Sequence, residues 1–341
     1  RKGIFPSIHK SFKFDLLIFK KKGLTDTFRA SFMLHSPEIL HTIQKTALSI
    51  KWNNIKRFSP SSWSILEFRT KKDIDLVSKM YQHPTLGSSI QDSWTVRFRR
   101  ELDISLDSSL FNTDKQGLIV YEGKMIEQYT HSFKEPRYWI KLNQIISKFG
   151  NSYQDFKEYR LGFRAIAAST NRRTMIATVL PPRVCCGNSL IITKIFDEKN
   201  SRLLTTSDIL YLTGIFNSFV FDYLLRLKIS QNLNMFFIYD MPVPRISRSH
   251  IIYRKIVKKV ATLIAGSPEF ESLLTQVDLE KSFSFNSDML QIRAEIDILV
   301  AKLYKLDRES LEYILDQFHQ KNEEKENQMN YQKRIILDRF E

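Results

Sequence analysis

The chain has 341 residues, 43% of them hydrophobic, and its 52 Lys and Arg against 37 Asp and Glu give a formal net charge of +15. That apolar content suffices for real cores and excludes a disordered tail, while a prior of about 150 residues per domain suits two domains. Such a positive field points to a polyanionic partner, nucleic acid first and anionic membrane as its competitor, with an attraction that weakens in salt.

The sequence starts at Arg1, not Met, and enters a strand-like pattern with no secretory signal ahead of it, so it reads as a piece of something longer. Over residues 3–22, Phe5, Ser7, Ser11, Phe12, Phe14, Leu16 and Ile18 alternate with Lys and Asp, which predicts strand, turn, strand. Ser36, Pro37 and Glu38 supply a polar cap, a Pro at the first position and an acid in the first turn of a helix that would carry Ile39, Leu40, Ile43 and Leu48 inward. A Ser and Pro cluster at 59–62 breaks the pattern, and the first boundary falls near Lys51.

From 63 to 244 short strand patterns alternate with turns and a few helices, including 72–82 and 207–227, which predicts an α+β domain. Residues 209–225 are the most hydrophobic stretch, but Asn217 and Asp222 interrupt it and Arg226 follows it. It reads as a buried helix, and no transmembrane segment is expected. Cys185 and Cys186 stand side by side, which disfavours a structural disulfide and fits small packing residues in a reducing cytoplasm.

Within this domain residues 159–182, YRLGFRAIAASTNRRTMIATVLPP, form two alternating apolar runs around a polar loop holding Asn171, Arg172 and Arg173, a hairpin with cations at its tip. Tyr159, Leu161, Phe163 and Ala165 fall on one face, Arg160 and Arg164 on the other, and Met175, Ala177 and Val179 resume the second strand. A guanidinium fork meets two acceptors at once and suits phosphates and base edges; solvated surface arginines give the same pattern.

The segment MPVP at 241–244 fixes an extended exit and marks the second boundary. Beyond it, Ile251–Ile264 is an amphipathic helix with Ile252, Ile256, Val260 and Leu263 on one side and Arg254, Lys255, Lys258 and Lys259 on the other. Arg245 and Arg248 thicken the same basic patch, which serves equally as a solvated face or as a phosphate-binding one. A further helix is predicted near 288–304. Asp307 caps another with the stripe Leu311, Ile314, Leu315 and Phe318, and from His319 onward the polar run reads as an exposed helical extension.

Catalytic motifs are missing from the sequence. The ten glycines never approach G-x-G-x-x-G spacing, no Walker loop or G-x-S-x-G elbow occurs, and seven histidines and two cysteines lack metal-site spacing. Asp197, Glu198 and Lys199 match the acid-x-lysine triplet of many nucleases, a match that chance supplies several times in so charged a chain.

Seven segments closely resemble, in order and over nearly the whole chain, the C-terminal part of type II G and related restriction-modification enzymes. They are GIFPSIHKSFKFDLLIF (3–19), FRTKKDIDLVSKMYQHPTLG (68–87), DSSLF (107–111), VYEGKMIEQYTH (120–131), the hairpin at 159–182, FNSFVFDYLLRLK (216–228) and LYKLDRESLEYILDQF (303–318). The resemblance implies an adenine-specific DNA methyltransferase domain followed by a target-recognition domain and a helical region. Residues 1–50 would then be the remnant of the methyltransferase fold, 51–245 the recognition domain and 246–341 the helical region. The fold class expected is therefore α+β overall, with the end of an α/β methyltransferase domain at its start.

The resemblance also implies double-stranded DNA as partner, together with a missing or separate methyltransferase domain. S-adenosylmethionine would bind in that upstream domain and no cofactor in this chain. The family's Asn-Pro-Pro-aromatic motif does not occur here, the only Pro pair being Pro181 and Pro182 after Leu180, so the chain alone should not methylate DNA. Arg164, Asn171, Arg172 and Arg173 look like a recurrent family element with scaffold or phosphate roles. In a second element, Tyr121 to Met125, Gly123 would allow a turn and Lys124 a phosphate contact, or an ion pair within a structural turn. The DNA-contact set implied is Lys124, Arg160, Arg164, Asn171, Arg172, Arg173, Arg245, Arg248, Arg254 and Lys258, with base readers expected within 188–205 or 94–100. Two alternatives remain open: an isolated remnant that docks a separate methyltransferase chain, and part of a phage-defence methyltransferase without cleavage.

Overall fold

The computed structural model describes residues 14–91, 93–150, 153–167, 172–229, 232–279, 289–319 and 323–340. The chain divides into two compact units, Arg1–Gln82 and His83–Glu341. The boundaries expected at 51 and 245 thus lie inside the first and second unit respectively.

In the first unit, β1 (Thr27–Ala30) pairs antiparallel with β2 (Leu48–Lys51), Thr27 opposite Lys51 and Ala30 opposite Leu48. Most of the strand pattern expected at 3–22 lies outside the described residues, and 14–22 hold no strand. The helix start at Ser36 is present, the Ser36 hydroxyl accepting from Glu38 N. Only a 3-10 segment (Pro37–Thr42) and one turn, α1 (Ile43–Thr46), follow it. Ile39 and Leu40, expected inward, are exposed, because so short a helix ends before it can lay an apolar stripe on a core. α2 (Trp52–Phe58) then buries Ile55 and Phe58. α3 (Lys71–Met80) opens on a reciprocal capping box between Thr70 and Asp73 and buries Leu76, Val77 and Met80.

The second unit holds two four-stranded sheets. One has the order β3 (Phe98–Arg99), β10 (Leu190–Thr193), β7 (Arg160–Arg164), β8 (Ala177–Leu180). The other has the order β4 (Phe111–Asn112), β6 (Tyr138–Ile140), β5 (Leu118–Tyr121), β9 (Cys185–Cys186). All pairs are antiparallel except β5 with β9. α4 (Leu142–Phe149) follows β6.

The hairpin read from the sequence is β7 and β8, with Arg160 opposite Leu180 and Phe163 opposite Ala177. Directly opposed residues share a face. Leu161, Phe163, Ala177 and Val179 therefore share the face that meets α5 (Thr206–Phe216), where the Phe163 and Phe216 rings lie 6.0 Å apart. The opposite face carries Arg160, Gly162 and Arg164 beside Leu180, Leu190 and Ile192. Those three aliphatics pack into one cluster with Tyr121, Met125 and Ile126 from the end of β5 and the turn after it. Both faces of this sheet are covered.

The apolar run 207–227 is two helices, α5 and α6 (Phe219–Lys228), bent by 67°. The break falls where the Asn217 amide exchanges hydrogen bonds with the Ala177 backbone, 2.8 and 3.0 Å, docking the bend on strand β8. No single described helix is long and apolar enough to cross a membrane. α7 (Met235–Tyr239) leads into the extended exit, and α8 (Ile251–Ile264) matches the amphipathic helix read from the sequence. Its Ile256, Val260 and Leu263 are buried as read, each contributing about 1.5–3 kcal/mol, while Tyr253 is buried and Ile252, expected inward, is only partly so. α5 and α8 approach closely at Gly214, where a Cβ would stand 2.6 Å from Ile256 Cγ2.

α9 (Glu271–Gln276) precedes α10 (Met289–Leu303), which packs on α5 and α8. α11 (Arg308–Leu315) is capped by Asp307, whose carboxylate accepts from Ser310 N at 2.8 Å, and Leu311, Ile314, Leu315 and Phe318 are buried as read. The extension after His319 becomes α12 (Glu323–Arg339). Its first turns are exposed, but Met329 and Ile336 are buried as the helix packs along α10. With its twelve α-helices among the described residues and several small sheets, the fold is mixed and consistent with α+β.

Candidate nucleic-acid interface

Four of the arginines expected to meet DNA are held by the protein itself. Arg160, one residue into β7, is fully enclosed and donates to Glu101 Oε1 at 2.6 Å and to the Val184 carbonyl at 2.5 Å. Burial works against its charge, but Glu101 overrides it and raises the pKa above the usual arginine value. Glu101 also accepts from Cys186 N and the Tyr153 hydroxyl. The face that alternation assigned to Arg160 is roofed by the second sheet, so this guanidinium presents no donor outward. Cys185 and Cys186 beside it are buried free thiols, and burial pushes Cys185 up to about 12. They are inert packing groups.

Arg173 is 6% exposed, donates from Nε to Asp222 Oδ2 at 2.7 Å and from Nη2 to the Asn217 carbonyl at 2.6 Å, and lies 4.1 Å from the Phe219 ring centre. It fastens the hairpin loop to the α5–α6 break. Arg245 donates to the carbonyls of Trp94 at 2.9 Å and Leu86 at 2.7 Å and stacks on the Trp94 ring, tying the exit strand to the start of the unit. Arg248 sets its fork on Asp208 at 3.0 and 2.6 Å. Asp208 is the capping-box acid of α5 and also accepts from the Tyr253 hydroxyl at 2.7 Å. Half of the Arg248 side chain remains exposed, but its Nε and Nη2 are committed to Asp208. Asn171 lies outside the described residues.

The other expected contacts face solvent in whole or part. Arg254 and Lys258, with Lys255 between them, are exposed on α8, and none of the three forms an ion pair among the described residues. Spacings of three and four residues put them on one side of the helix, opposite its buried stripe. Lys259, on the flank, is instead paired with Glu295 of α10. Arg172 is half-buried at the hairpin loop; burial lowers its pKa, and Arg173 and Arg293 push the same way while Glu127 opposes.

Lys124 and Arg164, flagged from separate motifs, line one pocket of about 320 Å³ together with Glu122, Gly123, Ile166 and Ser189. Arg164 is anchored by donating from Nε to the Ile126 carbonyl at 3.1 Å, with Nη2 on the same carbonyl and 3.4 Å from Glu127. Its Nη1 makes no hydrogen bond among the described residues. Glu122 accepts from Arg137 at 2.8 Å. Lys124 Nζ stands 3.1 Å from Glu122 Oε2 in an ion pair without hydrogen-bond alignment. Gly123 makes the turn possible, since a Cβ there would stand 2.5 Å from the Ser189 carbonyl oxygen.

Arg137, Ser189 and Arg293 were not singled out individually from the sequence. Ser189 falls in the stretch 188–205 where base readers were expected. Arg293 donates to the Gln128 carbonyl at 3.3 Å from a helix 165 positions away, and no local pattern marks it. No group of three or more His, Cys, Asp or Glu among the described residues could hold a metal ion. No protein-family model matches the chain, and no curated protein matches it.

Proposed function

We propose that this chain is the sequence-specific DNA-recognition part of an adenine-specific DNA methyltransferase of a restriction-modification system, directing S-adenosylmethionine-dependent methylation by a catalytic domain outside this sequence. The observation that carries the DNA reading is the side of α8 bearing Arg254, Lys255 and Lys258, three exposed cations without ion-pair partners among the described residues in a chain of net charge +15. The motif resemblance supplies the methyltransferase part. Phosphate contacts give affinity and register, and a few bidentate base contacts, each worth about 1–3 kcal/mol, give discrimination. Together they offset the few kcal/mol needed to take a target base out of the stack.

Selection from a randomised duplex pool, with affinity measured at about 50 and 200 mM salt, tests the reading. An enriched motif with a steep loss of affinity in salt is expected; salt-insensitive binding, or no binding, refutes it. A second reading, docking to a methyltransferase chain, is favoured by one observation: Leu16, Leu17, Ile18 and Phe19 are 76%, 80%, 98% and 77% exposed. Under that reading the pool yields no motif, and the chain binds the methyltransferase without DNA.

A further inference from the structure

We infer that the pocket lined by Lys124, Arg164 and Ser189 receives one phosphate group of the nucleic-acid backbone, an inference that rests on the DNA reading above. Three donors converge there. Arg164 is fixed by its Nε and Nη2 on the Ile126 carbonyl, which leaves Nη1 for a ligand. Lys124, 46% exposed, is held near Glu122 by charge and not by an aligned hydrogen bond, so its ammonium hydrogens can turn to an incoming oxygen. The Ser189 hydroxyl oxygen accepts from Gly123 N at 3.0 Å, and its own hydrogen remains to donate.

The charge count fits a phosphodiester. Lys124, Arg137 and Arg164 stand against Glu122 and Glu127, a surplus of one positive charge. Glu122 is neutralised by two cations, Arg137 at 2.8 Å and Lys124 at 3.1 Å, so it does not repel the ligand. The site is also built rigidly. Its floor is the backbone contact between Gly123 and Ser189, which a side chain at 123 would force apart, and Ala165 N donates to the Ser189 carbonyl at 2.9 Å from the end of the hairpin strand. A preformed cradle of this kind gives register on the duplex at little ordering cost.

The test uses the full chain and its Lys124→Gln and Ser189→Ala variants, each first shown to be folded at the assay temperature. Binding to a duplex is measured across salt. Taking one cation away from a phosphate should make the slope of log K against log salt shallower by about 0.9 in Lys124→Gln. Ser189→Ala, which removes a neutral donor, should weaken binding about threefold to tenfold with the slope unchanged. In parallel, inorganic phosphate is titrated against the unmodified chain while the backbone amide signals of Gly123 and Ser189 are followed; saturation and reversal by duplex are expected. A wild-type slope in Lys124→Gln overturns the pocket assignment and leaves the DNA reading standing. Phosphate saturation that duplex does not reverse overturns nucleic acid as the source of the phosphate. Failure of the unmodified chain to bind any duplex overturns the DNA reading itself.

Discussion

Replacing Arg160 by Met tests whether this guanidinium is a structural tie or a DNA contact. Its side chain and that of Glu101 are both 0% exposed, and their ion pair spans 2.6 Å. Removal leaves Glu101 buried with the Cys186 amide at 2.8 Å and the Tyr153 hydroxyl as its remaining partners, and the Val184 carbonyl without its donor. Deleting one member of a buried pair costs about 3–5 kcal/mol, because the other charge stays behind uncompensated. With a urea slope of about 2 kcal/mol per molar, the unfolding midpoint of this unit should fall by about 2 M. The double variant Arg160→Met/Glu101→Gln, which removes both charges, should recover most of that stability. Unfolding followed by the fluorescence of the buried Trp94 and Trp139 reads the midpoint, and duplex binding well below it reads the salt slope. An unchanged midpoint with a salt slope shallower by about one would refute the structural assignment and return Arg160 to the DNA surface.

On α8, the triple variant Arg254→Gln/Lys255→Gln/Lys258→Gln should keep its thermal midpoint, and fluorescence anisotropy should show a salt slope shallower by about 0.9 for each phosphate deprived of its cation. Burial holds the Lys228 ammonium down to about 8, with Asp240 partly opposing. The folded chain then releases this proton before the unfolded chain does. The Lys228 contribution should therefore rise by about 3 kcal/mol as pH climbs from about 8 to the ordinary lysine range, and Lys228→Met should lack that rise in pH-dependent urea unfolding. Burial pushes the Asp297 carboxyl up to about 6, against the opposing pull of Arg173, the Phe219 amide and Gln332. Here the folded chain keeps a proton that the unfolded chain has released. The Asp297 contribution should be full below about pH 4 and fall by about 3 kcal/mol through pH 6, and Asp297→Asn should flatten that limb of the thermal midpoint against pH.

Local periodicity was enough for elements whose neighbours lie close in sequence. The hairpin at 159–182, the amphipathic helix at 251–264 and the Asp307 cap follow from alternation, a spacing of three and four residues, and a side chain placed to accept the first free amide. It failed at residues 36–48, where a sound start signal leads into a strand within about three turns, and at 207–227, where Asn217 bonds to a strand 40 positions earlier and splits the helix.

The site shows the same division. Alternation correctly separates Arg160 and Arg164 from Leu161 and Phe163, but it says nothing of what covers each face. Glu101, 59 positions before Arg160 and two residues past the end of β3, takes the first guanidinium inside. The turn at 122–128 meets the second at the end of β7 and leaves one nitrogen open. A strand's chemistry is written in its own residues, whereas its exposure depends on a layer contributed by distant ones, and burial decides whether a cation serves the fold or a ligand.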